Sequence, residues 1–156
     1  MIQLRAMTDS EFLTHIDRVY IGYADEQVIA GSWPADRALK LAKAEINDLL
    51  PDGLATQDHF LYSLIVADES SPIGTLWIMI RERNDRKEAF IDDIEIFESF
   101  RRRGYAAQAL NALEDIIKGL GIHTIRLQVF GHNLAARELY EKCGYDLVNI
   151  YMEKQI

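Results

Sequence analysis

Two stretches of this 156-residue chain carry the residue types that reactions use. Asp92, Asp93 and Glu95 set three carboxylates into four residues of an otherwise apolar run, Ala89 to Phe97. Acidic residues are depleted in strands, and crowded like charges repel. One reading is solvated acids at an exposed strand end; the other is a carboxylate held beside a cleft where an ammonium group must lose its proton. The second stretch, Phe97 to Ala107, sets Arg101, Arg102, Arg103 and Gly104 ahead of Tyr105 and Ala106 in a chain of net charge −8. Three arginines in an acidic protein mark a place for an anion.

The elements around these stretches follow from periodicity. Ile2 and Leu4 alternate with Gln3 and Arg5 as a first strand. Thr8 with Glu11 three residues on forms a capping box for a helix over Asp9 to Val28, and a second helix spans Ala35 to Leu50. Trp33, His59 and the loop at Gly53 are candidate substrate contacts if these helices overhang a cleft. The runs Phe60 to Ala67, Gly74 to Ile80 and Ala89 to Phe97 read as an antiparallel meander. In a regular pleat Asp92 shares a face with Phe90, Ile94 and Ile96, while Asp93 and Glu95 share the other with Ile91 and Phe97.

Helical spacing resumes after Arg103-Gly104 and ends at Gly119 to Gly121. The arginine-glycine stretch therefore lies where a strand gives way to a helix N-terminus, whose first N–H groups lack partners and whose dipole is positive. Gly104 lets the backbone approach a phosphate closely, and Ala106 leaves little side chain in the way. His123 to Phe130 reads as a further strand, Asn133 as the N-cap of a helix that stops at Gly144, and Tyr145 to Val148 with Ile150 to Glu153 as a closing pair of short strands.

Composition bounds the rest. The length fits one domain over 1–156, and 49% hydrophobic with 27% charged residues fits a globular chain rather than a disordered one. The acidic balance disfavours nucleic acid and mildly favours cationic substrates. No apolar run reaches the roughly 20 residues of a membrane span and no signal segment opens the chain, so a cytoplasmic location is expected. Cys143 is the single cysteine and the four histidines show no ligand spacing, so no metal site is expected.

The chain resembles the Gcn5-related N-acetyltransferase superfamily, and within it the small stand-alone bacterial members with a Leu-Leu-Pro-x-Gly-Leu segment, here Leu49 to Leu54. That family's phosphate-loop pattern is present as Arg101-x-x-Gly104-x-Ala106, and its later helix motif as Asn133, Ala136, Leu139, Tyr140, Gly144 and Tyr145. The loop departs from the pattern at Arg102, where glycine is usual, and at Glu98, where proline is frequent. The resemblance implies an α/β (α+β) fold, a mixed and mostly antiparallel sheet of about seven strands flanked by about four helices. It implies acetyl-CoA as co-substrate, a small-molecule or peptide amine as acceptor, and a homodimer as a frequent assembly.

By the same resemblance the pyrophosphate sits on N–H groups from Arg102 to Ala106. The pantetheine arm lies between the acidic strand and the one from His123, which splay apart, on main-chain groups near Ile94 and Ile96; Asn133 contacts the arm, and Tyr140 is the general acid. A base is needed because an amine of pKa about 10.4 is neutral in only about one molecule per two to three thousand at pH 7, a handicap of roughly 4 to 5 kcal/mol. Family position ranks Asp92 first, then Glu95 and Asp93, and a bulge common in this strand would change their phase. A non-catalytic acyl-CoA-binding or regulatory module would keep the same cleft.

Overall fold

Thr8 starts the long helix by the expected device. Its hydroxyl accepts the Glu11 N–H at 3.3 Å, while the Glu11 carboxylate accepts the Thr8 N–H at 2.9 Å. In the computed structural model, which describes residues 1–156, β1 (Ile2–Ala6) precedes this helix, α1 (Asp9–Ile29), and α2 (Ala35–Leu49) follows it. The two helices are tied by Tyr20 donating to Asn47 Oδ1 at 2.5 Å and Tyr23 donating to Glu45 Oε2 at 2.7 Å. Trp33 packs edge-on against Tyr23 at 5.3 Å. It is spent on closing the α1–α2 corner.

β2 (His59–Val66), β3 (Gly74–Arg83) and β4 (Arg86–Ile96) form the meander read from the sequence, with β1 on the outer side of β2. α3 (Tyr105–Gly119) follows the arginine loop, and β5 (Ile125–Leu127) then pairs with β4 as the sheet's parallel neighbour. α4 (Leu134–Lys142) completes the order. It ends as a Schellman turn: Tyr145 N–H bonds the Tyr140 carbonyl and Gly144 N–H bonds that of Glu141, with Gly144 at φ +84°.

The sheet has an apolar layer on each face. Leu110, Leu113 and Ile117 of α3 are fully buried with Leu64, Leu76, Ile78 and Ile91 of the sheet. Each such side chain contributes about 1.5–3 kcal/mol by leaving water. Ile16 of α1 and Ile46 of α2 cover Leu61 and Trp77 on the other face.

The sheet has five strands, not about seven. The strand expected over His123 to Phe130 is ordered as a ladder only at Ile125–Leu127, and Tyr145 to Val148 and Ile150 to Glu153 form no strand. Leu147, Val148, Ile150, Tyr151 and Met152 are exposed. Alternating apolar residues supply a propensity for extended backbone, but a strand exists only where a neighbouring edge accepts its hydrogen bonds, and here none does.

Candidate active site

The carboxylate strand is not regular. Phe90 faces Met79 and Ile91 faces Ile78, yet Asp93 faces Trp77, Ile94 faces Leu76 and Glu95 faces Thr75. Asp92 is the extra residue of a β-bulge, without a partner on β3. The bulge reverses the phase, so Asp93 and Glu95 share a face with Trp77 towards α1 and α2, and Ile94 and Ile96 join Ile91 against the α3 layer. The regular pleat expected from sequence, with Asp93 and Glu95 beside Ile91, is corrected at this point.

The same shift redirects the backbone. Ala89 donates to Thr124 at the edge shared with β5, whereas Phe97 beyond the bulge donates to Ile73, just before β3. Main-chain groups alternate sides along a strand, so Asp93, Glu95 and Phe97 bond β3 while Ile94 and Ile96 point to the β5 side. β5 pairs only with Ala89, Phe90 and Ile91 and then leaves, so the edge at Ile94 and Ile96 is open. One group there is already engaged: Arg101 Nε donates to the Ile96 carbonyl at 2.8 Å. Gly74 permits the tight β3–β4 approach, because a side chain there would strike the Glu95 carbonyl oxygen.

The open edge leads into the arginine loop. Arg101 N–H bonds Glu98, and the first bond of α3 runs from Gln108 N–H to the Gly104 carbonyl. Between them, the N–H groups of Arg102, Arg103, Gly104, Tyr105, Ala106 and Ala107 make no bond within the chain, and no side chain caps the helix. Gly104 has φ +76° and open space where a Cβ would lie. Arg102 has φ +59°, the left-handed backbone that glycine takes freely, which explains why glycine is usual there. Arg103 leans over the Phe100 ring at 5.7 Å, while Arg101 braces the strand. This cradle fits a pyrophosphate.

Each carboxylate meets a different surrounding. Burial pushes Asp92 up to about 7, with Arg81 opposing and Asp93 adding to the rise. Burial likewise pushes Asp93 up to about 7; Glu95 adds to this and Arg18 opposes it. Glu95 is paired with Arg18 of α1, whose Nε lies 3.2 Å from Glu95 Oε2 as an ion-pair contact without hydrogen-bond geometry. Arg81 is held by Glu88 at 2.8 Å, and Glu88 also receives Arg126 of β5 at 3.2 Å.

Tyr140 of α4 is half-buried, its ring 5.6 Å from that of Tyr145. Burial, then the charge of Asp93, pushes its hydroxyl up to about 12, which keeps it a proton donor. Asn133 caps α4 by accepting the Ala136 N–H at 3.2 Å, leaving its amide NH2 unspent. Of the looser substrate candidates, the Gly53 turn packs near Phe12, and His59 Nδ1 accepts from Trp77 Nε1 at 2.9 Å, next to the Asp93 position.

Sequence reasoning passed over Arg18, Trp77 and Arg81. Arg18 sits on the shoulder of the α1 apolar stripe between Ile16 and Val19, and a charge in that position was the available signal. His132, just before the Asn133 cap, meets Glu26 of α1 at 2.6 Å.

Residues 26–145 match the model of the acetyltransferase (GNAT) family. The chain is 39% identical over 155 residues to the uncharacterized N-acetyltransferase YycN of Bacillus subtilis, covering 99% of each protein. It is 31% identical over 153 residues to the uncharacterized N-acetyltransferase YdgE of the same organism, covering 98% of this chain and 97% of YdgE. The crystal structure of YycN superposes with a TM-score of 0.94, over 100% of this chain and 99% of that one. With the unbonded N–H groups of the arginine loop, the open strand edge and these matches in agreement, the chain belongs to the GNAT family of N-acetyltransferases.

Proposed function

We propose that the protein transfers the acetyl group of acetyl-CoA to a primary amine by direct attack, with Asp93 as base and Tyr140 as general acid. One observation carries the reading: the unbonded N–H groups of Arg102 to Ala107 lead into the open main-chain edge at Ile94 and Ile96, beside Asp93 and Tyr140. A molecule with phosphates at one end and amides along an arm satisfies both halves. Arg102 and Arg103 add charge to the phosphate end. Ile94 and the Ile96 N–H bond the arm as an added strand would, and an edge N–H polarises the thioester carbonyl. Asn133 offers its amide NH2 to the same arm.

Asp93 takes a proton from the acceptor's ammonium, an N–H bond breaking as an O–H bond forms. The nitrogen lone pair then forms the C–N bond to the acetyl carbon while the C–S bond breaks, and Tyr140 gives its proton to the departing sulfur. The second nitrogen proton, lost as the amide forms, restores Tyr140, and the proton on Asp93 passes to solvent. Family position favoured Asp92. The place of Asp93 opposite Trp77 and the reach of its charge to Tyr140 support Asp93 instead, with Asp92 sharing its titration. Glu95 is the weakest candidate because Arg18 already holds it.

The acceptor is a small-molecule or peptide amine, and the charge of −8 supports a cationic one. Isothermal titration with acetyl-CoA, followed by thiol release over a broad amine panel, tests the proposal. Micromolar binding with turnover of at least one amine is expected. Absence of binding sinks the cofactor assignment, and binding with no turnover across the panel leaves a non-catalytic CoA-binding module.

A further inference from the structure

Arg18 lies outside both motifs, and the architecture brings it to the reacting strand by a simple matching of lengths. Arg5, Ser63, Thr75 and Glu95 stand in register across β1, β2, β3 and β4. α1 crosses above this row. Glu11 near its start bonds Arg5 at 2.6 Å and Ser63 at 2.9 Å, and Arg18, seven residues later, reaches Glu95 at 3.2 Å. Seven helical residues rise about 10 Å, which equals about two strand spacings, the separation of Ser63 from Glu95. The Arg18 guanidinium also lies 4.3 Å over the Phe97 ring, so two residues of the strand end grip one cation.

The charge count shows why the grip matters. Four carboxylates, Glu88, Asp92, Asp93 and Glu95, stand on β4, and three guanidiniums, Arg18, Arg81 and Arg126, stand against them. Arg81 and Arg126 are committed to Glu88. Arg18 is therefore the cation that cancels Glu95, two residues from Asp93 on the same face. The charges that act on Asp93 or respond to it are Asp92 and Glu95 on its own strand, Arg18 of α1 and Tyr140 of α4. His15, one turn before Arg18, is fully buried without a hydrogen-bond partner and supplies no second cation.

We propose that Arg18 is a positioning residue for the reaction: by pairing with Glu95 and stacking on Phe97 it neutralises the charge beside Asp93, so that Asp93 is the carboxylate free to take the amine proton. The proposal rests on Asp93 being the base, and its test separates the two. Carbon-13 NMR titration of the aspartate side chains, without acceptor, follows Asp93 in the unsubstituted protein, Arg18→Met, Arg18→Lys and the double variant Arg18→Met with Glu95→Gln. A nearby opposite charge moves a carboxyl by about one unit or more. Arg18→Met is expected to raise the Asp93 midpoint by about one unit, Arg18→Lys to restore most of it, and the double variant to return it, since both charges are gone.

In turnover, the acid limb of kcat/KM moves with the midpoint while the affinity for acetyl-CoA stays the same. An unmoved midpoint in Arg18→Met, or a double variant no closer to normal than the single one, overturns the role of Arg18. A midpoint that moves while the acid limb does not overturns Asp93 as base and leaves the electrostatic coupling standing.

Discussion

Asp93 of β4 stands directly opposite Trp77 of β3, although the neighbouring pair is Ile91 with Ile78. The displaced residue, Asp92, leaves the ladder, and every side chain beyond it changes face. An acid that a regular pleat would aim at the α3 layer is thereby turned towards α1 and α2.

Asp93→Asn is expected to lower turnover by about 100-fold, within the range of general base catalysis. Asp92→Asn should cost less, and equal losses for the two would assign the proton to the pair. Stability should move the other way. Burial holds the folded pKa of Asp93 above its unfolded value, so the folded state binds the proton more tightly and loses stability as pH rises from about 4 to about 7. The uncharged Asn removes that loss. Asp93→Asn should therefore melt higher than the unsubstituted protein at pH 8 and about equally at pH 4, by thermal unfolding at both values.

Tyr140→Phe keeps the ring against Tyr145 and removes only the hydroxyl. The expected loss in kcat is about 10- to 1000-fold, with the acetyl-CoA dissociation constant unchanged. A better leaving thiol should recover part of the loss, since it needs less protonation. An unchanged kcat would end the assignment of Tyr140 as the acid.

Gly104→Glu places a carboxylate in open space at the mouth of the unbonded N–H groups. Acetyl-CoA binding should be lost in calorimetry. A non-glycine residue at φ +76° costs about 1 kcal/mol, so the melting temperature should fall by only a few degrees. Retained binding would refute the cradle.

Glu11 joins three elements through Thr8, Arg5 and Ser63. Burial alone would raise its pKa, but the bonds from Arg5, the Thr8 N–H and Ser63 outweigh it and hold the carboxyl at about 2. A depressed folded pKa gives stability that is complete above the unfolded value near 4.5 and disappears as pH falls towards 2. Glu11→Gln should cost about 2 kcal/mol at pH 7 and almost nothing at pH 2, allowing for the solvent around Arg5. Urea unfolding at the two pH values measures the difference.

Much of this protein is local, and what is local was written in the sequence. The capping box at Thr8, the α3 start at Gly104, the Asn133 cap and the Gly144 stop each depend on a few consecutive residues satisfying backbone groups, so residue type and spacing were enough. The three meander strands followed from alternation and the short turns that make each strand's neighbour in sequence its neighbour in the sheet. Tertiary structure decided what depends on partners distant in the chain. Whether Tyr145 to Glu153 pairs depends on an edge that alternation cannot supply, and the face of Asp93 depends on one residue of register against β3. Only the crossing of α1 over the sheet brings Arg18 to Glu95, because a length of helix matches two strand spacings that no stretch of sequence displays.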